Sequence, residues 1–264
     1  GFFEQRHVLE VETPVLSHST ATEPHLASFE VRSDAQTLSQ YLLTSPEFAM
    51  KRLLAAGSGP IFQIAKAFRQ GETGSRHNPE FTILEWYRPE FSLENMKAEM
   101  NELLIYLGFQ LTPVTRSYRE AFIQFAGLDP FLVSTAELQA FAGQLNSVEI
   151  RGLSRDSLLD IVLTHKVEPL LAELGAVYIE EFPASQASLA RVCKDLQGEQ
   201  VAKRFELYIN GIEIANAYDE LVCENELKTR IDQDNTLRKK LGKPVIPGDD
   251  RLLAAMPNLP DCAG

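Results

Sequence analysis

The sequence predicts an α+β domain, an antiparallel sheet flanked by helices. Three observations predict it. Apolar, aromatic and β-branched runs cluster around 60–90 and 177–217, with turn signals inside each cluster. Helical periodicity occupies the stretch between those clusters and returns after them. No repeat, low-complexity tract or Pro/Gly/Ser linker divides the 264 residues, so they read as a single domain, 1–264, with a sizeable core.

Composition narrows the class. With 44% hydrophobic and 23% charged residues the chain has the make-up of a soluble globular protein. No run approaches the roughly eighteen apolar residues of a membrane helix, and the opening Gly-Phe-Phe-Glu lacks a signal-peptide pattern. Cys193, Cys223 and Cys262 are too scattered for a zinc site and odd in number for a disulfide framework, which points to a reducing cytoplasm. The net charge of −12 argues against coating nucleic acid. It leaves room for a local basic patch or for an acidic pocket that takes a cationic ligand.

The elements follow in order. The first residues read as the end of an amphipathic helix entering the extended segment Val8 to Pro14, because Pro14 biases Thr13 away from helix. Thr44-Ser-Pro-Glu47 stands before the apolar-basic run Phe48 to Leu54, where a helix should begin. Pro60 to Phe68 and Phe81 to Tyr87 read as two strands of a long antiparallel hairpin, joined by a polar loop from Arg69 to Pro79. A period of two puts Phe81, Ile83, Glu85 and Tyr87 on one face. Ser92 is placed to cap a helix reaching Leu107, and residues 108–175 read as helical. Arg204 to Ile209, Asn210-Gly211 and Ile212 to Asn216 form a hairpin with a type I′ turn. A last helix spans Glu224 to Leu241 and stops at Gly242 and Pro244.

Three segments carry polar residues that invite chemistry. Glu47 either complements the start of its helix or serves a ligand. The loop after Phe68, with Arg69, two glycines, Arg76 and His77, is either a solvated turn or a cradle for phosphate oxygens, since arginine offers a fixed fork of donors. Glu213 lies in an otherwise apolar strand and needs a partner, either a basic side chain or a hard cation such as Mg²⁺. Glu220, seven residues on, would face the other way on a continuous strand; the two converge only if the chain bends after Asn216. The basic run Arg238 to Lys243 is either a solvated helix end or a dock for an acidic partner.

Taken together, these segments resemble the catalytic core of class II aminoacyl-tRNA synthetases, closest to the lysyl type. Val11-Glu-Thr-Pro14 resembles the end of motif 1, Phe68 to Glu85 resembles motif 2, and Gly211 to Leu221 resembles the strand before motif 3. Glu85-Trp-Tyr-Arg-Pro89 and Phe182-Pro-Ala-Ser-Gln-Ala-Ser-Leu-Ala190 are similar to the shortened lysyl-type paralogues that modify elongation factor P. The resemblance implies ATP-dependent activation of lysine or β-lysine and transfer to a lysine of elongation factor P. The alternative acceptor is tRNA, and a third reading is a silent protein that only binds lysine or nucleotide.

The resemblance also implies residue roles. Arg69 would hold the substrate carboxylate and the α-phosphate as the catalytic residue. Gly71, Glu72, His77, Asn78, Phe81, Glu213 and Ile214 would line ATP, with adenine on Phe81. Glu213 and Glu220 would hold Mg²⁺. Ser45, Pro46 and Glu47 would frame one amine, Asn216 would assist at the carboxylate, and Tyr87 and Glu220 would reach the distal ammonium. A homodimer through motif 1 is implied as well. The chain departs from the lysyl pattern at Gly71, where a glutamate is expected, and at Ala217-Tyr-Asp219. It begins at motif 1 and ends at Gly264, before the second ATP-clamping arginine of motif 3, which therefore either lies in following sequence or is missing.

Overall fold

In a computed structural model of the chain, residues 1–32, 39–74, 77–145 and 150–264 are described. They form two compact units. The first is Gly1–Phe91 with Leu221–Cys262 and Gly264; the second is Ser92–Glu220 with Ala263. The crossings fall at Phe91/Ser92 and Glu220/Leu221, between motif residues and a helix cap. Composition does not change at such places, so no linker signal marks them.

The first unit opens with a 3₁₀ turn, Glu4–Arg6, in place of a longer helix; His7 turns left-handed at φ 55 and ends it. Strands β1 (Leu9–Glu10), β2 (Leu16–Ser17), β3 (Glu30–Val31) and β4 (Gln40–Leu42) follow, the last three forming a small sheet in the order β2-β4-β3. Helix α1 (Glu47–Ala55) starts directly after Pro46. Strands β5 (Ile61–Phe68) and β6 (Glu80–Pro89) form the expected antiparallel hairpin, in register from Ile61↔Tyr87 to Phe68↔Glu80. β1 pairs β5 in parallel, so the sheet is mixed and not purely antiparallel. Gln63, Ala65 and Ala67 are buried on the face shared with Glu85 and Tyr87. On the other face Phe3 stacks on Phe62 at 4.6 Å and leans on Trp86.

The second unit begins with α2 (Leu93–Tyr106), where Ser92 and Asn95 make a capping box. Next comes β7 (Val114–Ser117), a strand in a stretch that reads as helical. It is only four residues long, and Ser117 immediately caps α3 (Tyr118–Ala126). Helices α4 (Thr135–Leu145), α5 (Arg155–Val162) and α6 (Glu168–Leu171) follow, the last two joined by a π turn, Leu163–Val167. Strands β8 (Ala176–Pro183), β9 (Val192–Lys194), β10 (Gln200–Ile209) and β11 (Ile212–Tyr218) build a sheet ordered β11-β10-β8-β7, with β9 on β10. Its core joins Tyr118, Phe122, Leu138, Leu158, Val177, Ile179, Phe182 and Tyr208, each buried. Burying one such side chain contributes roughly 1.5–3 kcal/mol. The β10–β11 turn has positive φ at Asn210 and Gly211, as a type I′ turn demands. A Cβ on Gly211 would stand 2.6 Å from the Glu168 carbonyl oxygen, so glycine is required there twice over.

The chain then returns to the first unit with α7 (Glu224–Lys240), α8 (Asp250–Ala255) and Cys262, the first residue of the short strand β12 (Cys262–Ala263). The basic run at the end of α7 is partly structural. Arg238 is buried and donates to the carbonyls of Pro244 and Glu23, and Lys243 donates to that of Pro24. Lys239 and Lys240 are left exposed as the solvated helix end.

Candidate active site

In the first unit, the start of α1 and the β5–β6 hairpin bring one group of polar side chains together. Ser45 Oγ accepts from the Glu47 amide at 3.1 Å and donates to Glu85 Oε1 at 2.5 Å. Tyr87 Oη donates to the other Glu85 oxygen at 3.1 Å. Glu47 is ion-paired with Lys51, one turn along α1, at 2.6 Å. Lys51 is 2% exposed, a buried cation. Burial and the neighbouring Glu47 push the Glu85 carboxyl up to about 7, against the hydrogen bonds from Ser45 and Tyr87 and the charge of Lys51. Glu85 therefore shares its proton with solvent near neutral pH, and an incoming cation would draw it into the charged form.

Glu85 is the residue that sequence reasoning missed. Strand periodicity already set it on the face of Tyr87, and a carboxylate inside a mostly apolar strand was the available signal. Ser45, Pro46, Glu47 and Tyr87 all belong to this cluster, Pro46 through its place at the start of α1.

At the far end of the hairpin, Arg69 Nε lies 3.4 Å from the Thr44 carbonyl oxygen and its guanidinium sits over the Phe81 ring at 5.0 Å. Glu72 approaches Arg69 at 3.8 Å, so the acid displaced by one position from the family pattern still reaches the arginine. Gly71 has φ 86, a conformation that favours glycine, where the loop turns. His77 and Asn78 are exposed on the returning arm, and the His77 carbonyl accepts from Gly74. Arg76 lies outside the described residues.

In the second unit, Glu213, Ile214 and Asn216 sit on β11. The register with β10 skips Ile214, pairing Tyr208 with Glu213 and Leu207 with Ala215. This bulge turns Glu213 onto the face of Asn216, Glu206 and Tyr208. Pairing then continues through Tyr218↔Arg204. Glu206 is a further carboxylate on the face of Glu213. Among the described residues, no group of three or more His, Cys, Asp or Glu is placed to hold a metal ion. Glu213, Ile214 and Asn216 are exposed, with the Asn216 amide donating to Tyr218 at 2.9 Å, while Glu220 is 1% exposed. Beneath them Glu206 takes an ion pair from Arg204 and a hydrogen bond from Tyr208.

Residues 1–244 match the profile of the family described as tRNA synthetases class II (D, K and N). The chain belongs to that family. It is 46% identical over 271 residues to an elongation factor P–(R)-β-lysine ligase of Pseudoalteromonas translucida (strain TAC 125), across 100% of this chain and 83% of that protein. Ligases of the same name from Yersinia pestis (strain Pestoides F) and Yersinia pseudotuberculosis serotype O:1b (strain IP 31758) are 44% identical over 270 residues, across 100% of this chain and 82% of each. Within this synthetase family the β5–β6 hairpin corresponds to the segment resembling motif 2, and β10–β11 to the one preceding motif 3. Among the described residues, no helix is long and apolar enough to cross a membrane.

Proposed function

We propose that this protein is an ATP-dependent ligase that activates (R)-β-lysine or lysine as an aminoacyl-adenylate and transfers it to a lysine of elongation factor P. The observation that carries this reading is the 44–46% identity, over the whole chain, to ligases bearing that name. The first unit's chemistry agrees with it. A substrate with two ammonium groups calls for carboxylates, and Glu47 and Glu85 stand around one serine there.

The substrate carboxylate attacks the α-phosphorus of ATP, the bond to the β-phosphate oxygen breaks, and pyrophosphate leaves. Arg69 would hold the reacting carboxylate and phosphate and stabilise the charge that develops. Phe81 would support the adenine, with Gly71, Glu72, His77 and Asn78 along the nucleotide. An acceptor amine then attacks the adenylate carbonyl, and AMP leaves with the bonding electrons. Ser45, Glu47 and Tyr87 would hold the amines with Glu85; the resemblance gives Asn216 to a carboxylate and Glu220 to an ammonium. Magnesium suits one or two carboxylates plus phosphate oxygens, a donor set that Glu213 and Glu220 would supply; bound there, it would neutralise the leaving pyrophosphate. We further propose a cytoplasmic homodimer, because exposed Leu9, Val15 and Leu16 flank the segment resembling motif 1.

A second reading, transfer to tRNA, is favoured by the family description itself. Offering the charged enzyme both acceptors decides between them: labelled β-lysine is expected on elongation factor P and not on tRNA(Lys), and the reverse outcome makes the protein a tRNA ligase. In the same preparation, Arg69→Ala should lower lysine-dependent pyrophosphate exchange by at least about 100-fold. Undiminished exchange removes Arg69 from the chemistry.

A further inference from the structure

Two sequence features of the second unit lie outside the activation chemistry: the Phe182 to Ala190 run and the unusual Ala217-Tyr-Asp219. They meet at Glu220. That residue lies beyond the last ladder pair of β11, Tyr218↔Arg204, where strand pairing no longer fixes the backbone. It is nonetheless almost wholly buried. Its neighbours explain how. Ala190 bridges to Glu220 in antiparallel fashion. The Arg191 amide donates to the Asp219 carbonyl at 2.8 Å, the Asp219 amide to the Lys203 carbonyl at 2.9 Å, and the Lys203 amide to the Arg191 carbonyl at 2.8 Å. Three backbone bonds thus close a ring around residues 191, 203 and 219.

Side chains tighten that ring. Arg191 Nε donates to the Glu220 carbonyl at 2.9 Å and stands 3.3 Å from Asp219 Oδ1. Lys203 Nζ holds Asp219 Oδ2 at 2.5 Å. Asp219 is therefore gripped on both oxygens, and Arg191 spans the carboxylate of one residue and the carbonyl of the next. The turn that delivers Arg191 is itself pinned. Ser188 sits in the left-handed region at φ 48, and Arg204 donates to the Gln186 carbonyl at 2.9 Å.

We propose that Arg191 and Asp219, locked by Lys203, form a clamp that positions the Glu220 carboxylate for its substrate amine. The clamp rests on the reading of Glu220 as a substrate-binding residue. Arg191 and Asp219 touch no substrate; they are positioning residues. A carboxylate that recognises an amine must be held to a fraction of an ångström, and a strand exit without a ladder does not do so alone. A lysine at 191 keeps the charge but has no Nε to stand between the two acceptors.

The test separates the amino acid from the nucleotide. Arg191→Met and Asp219→Asn are each expected to raise the KM for β-lysine or lysine about tenfold in pyrophosphate exchange, with the KM for ATP and kcat within about twofold of wild type. The double variant should be no worse than either single one, because both remove the same device. Arg191→Lys should keep most of the defect. Additive losses, parallel rises in both KM values, or an unchanged amino-acid KM would overturn the clamp. Hydrogen exchange at the Lys203 and Asp219 amides gives a readout independent of any substrate: it should accelerate in Asp219→Asn, and unaltered protection counts against the clamp. A wild-type enzyme that activates some other amino acid and no lysine-type one defeats the substrate reading instead, while the exchange result still judges the clamp.

Discussion

Glu85 and Glu206 make a natural pair for comparison. Each lies on a long strand, each is followed two residues later by a tyrosine, and in each case that tyrosine donates to the carboxylate, at 3.1 Å from Tyr87 and 2.5 Å from Tyr208. The difference stands two residues before. Arg204 precedes Glu206 and pairs with it, packed over the Phe182 ring at 4.4 Å; Ile83 precedes Glu85 at the matching place. One carboxylate is supplied with a cation by its own strand. The other has two hydroxyls and a second carboxylate around it, the nearby Lys51 being ion-paired to that carboxylate, and burial raises its pKa to about 7. The same Glu-x-Tyr spelling thus yields a structural group in one unit and a group poised for an external cation in the other.

Breaking the internal pair should produce the largest effect. Arg204→Met leaves Glu206 buried without its cation, which costs about 3–5 kcal/mol, measured as a lower urea midpoint at unchanged slope. Adding Glu206→Leu should recover most of that loss, because two apolar groups need no partner. A single variant as stable as wild type would mean that the arginine and the carboxylate are not coupled.

Glu85→Gln should act oppositely on stability and on binding. A folded pKa of about 7 against an ordinary 4.5 means that the native state holds the extra proton between those values. Stability then falls as pH rises through that window, and the substitution removes the fall. The variant should be more stable than wild type at pH 8 and lose that advantage as pH drops towards 4.5. The wild-type affinity for a lysine-type amine should rise as pH rises through about 7, as Glu85 ionises. In the variant that rise should vanish and the affinity should drop roughly 100-fold. Calorimetry across the pH range checks both; a pH-independent wild-type affinity would remove Glu85 from amine recognition.

What was legible follows the range of the contacts. The β5–β6 hairpin, the start of α1 and the Asn210-Gly211 turn are set by neighbours in sequence, and all three were readable. Arg69 over Phe81 follows from a hairpin whose two arms were both recognised. Readability ended where one extra residue or one distant partner decides the outcome. The bulge at Ile214 reverses the face of Glu213, and alternation alone carries no sign of it. Arg191 reaches Glu220 across 29 positions, and no spacing rule connects them. β7 was hidden because a four-residue polar strand that ends in a helix cap looks like the helix it precedes.

The two tyrosines give the smallest and most discriminating comparison. Tyr208 is 1% exposed, and burial together with Glu206 and Glu213 pushes its hydroxyl well above the usual range, so it stays a donor. Removing that hydroxyl takes one hydrogen bond from a buried ion pair, so Tyr208→Phe should cost about 1.5–3 kcal/mol of stability. Tyr87, 4% exposed, donates to a carboxyl that is protonated part of the time at neutral pH, and a bond between neutral groups contributes only about 1 kcal/mol. Tyr87→Phe should therefore cost less stability, and the gap between the two variants should narrow as pH rises past 7 and Glu85 becomes charged. In the binding assay the order reverses. Tyr87→Phe should weaken the lysine-type amine several-fold by loosening Glu85, whereas Tyr208→Phe should change it little once its lower stability is accounted for. Equal effects of the two substitutions in both assays would mean that the residue before the glutamate, arginine or isoleucine, does not decide what the Glu-x-Tyr pair is for.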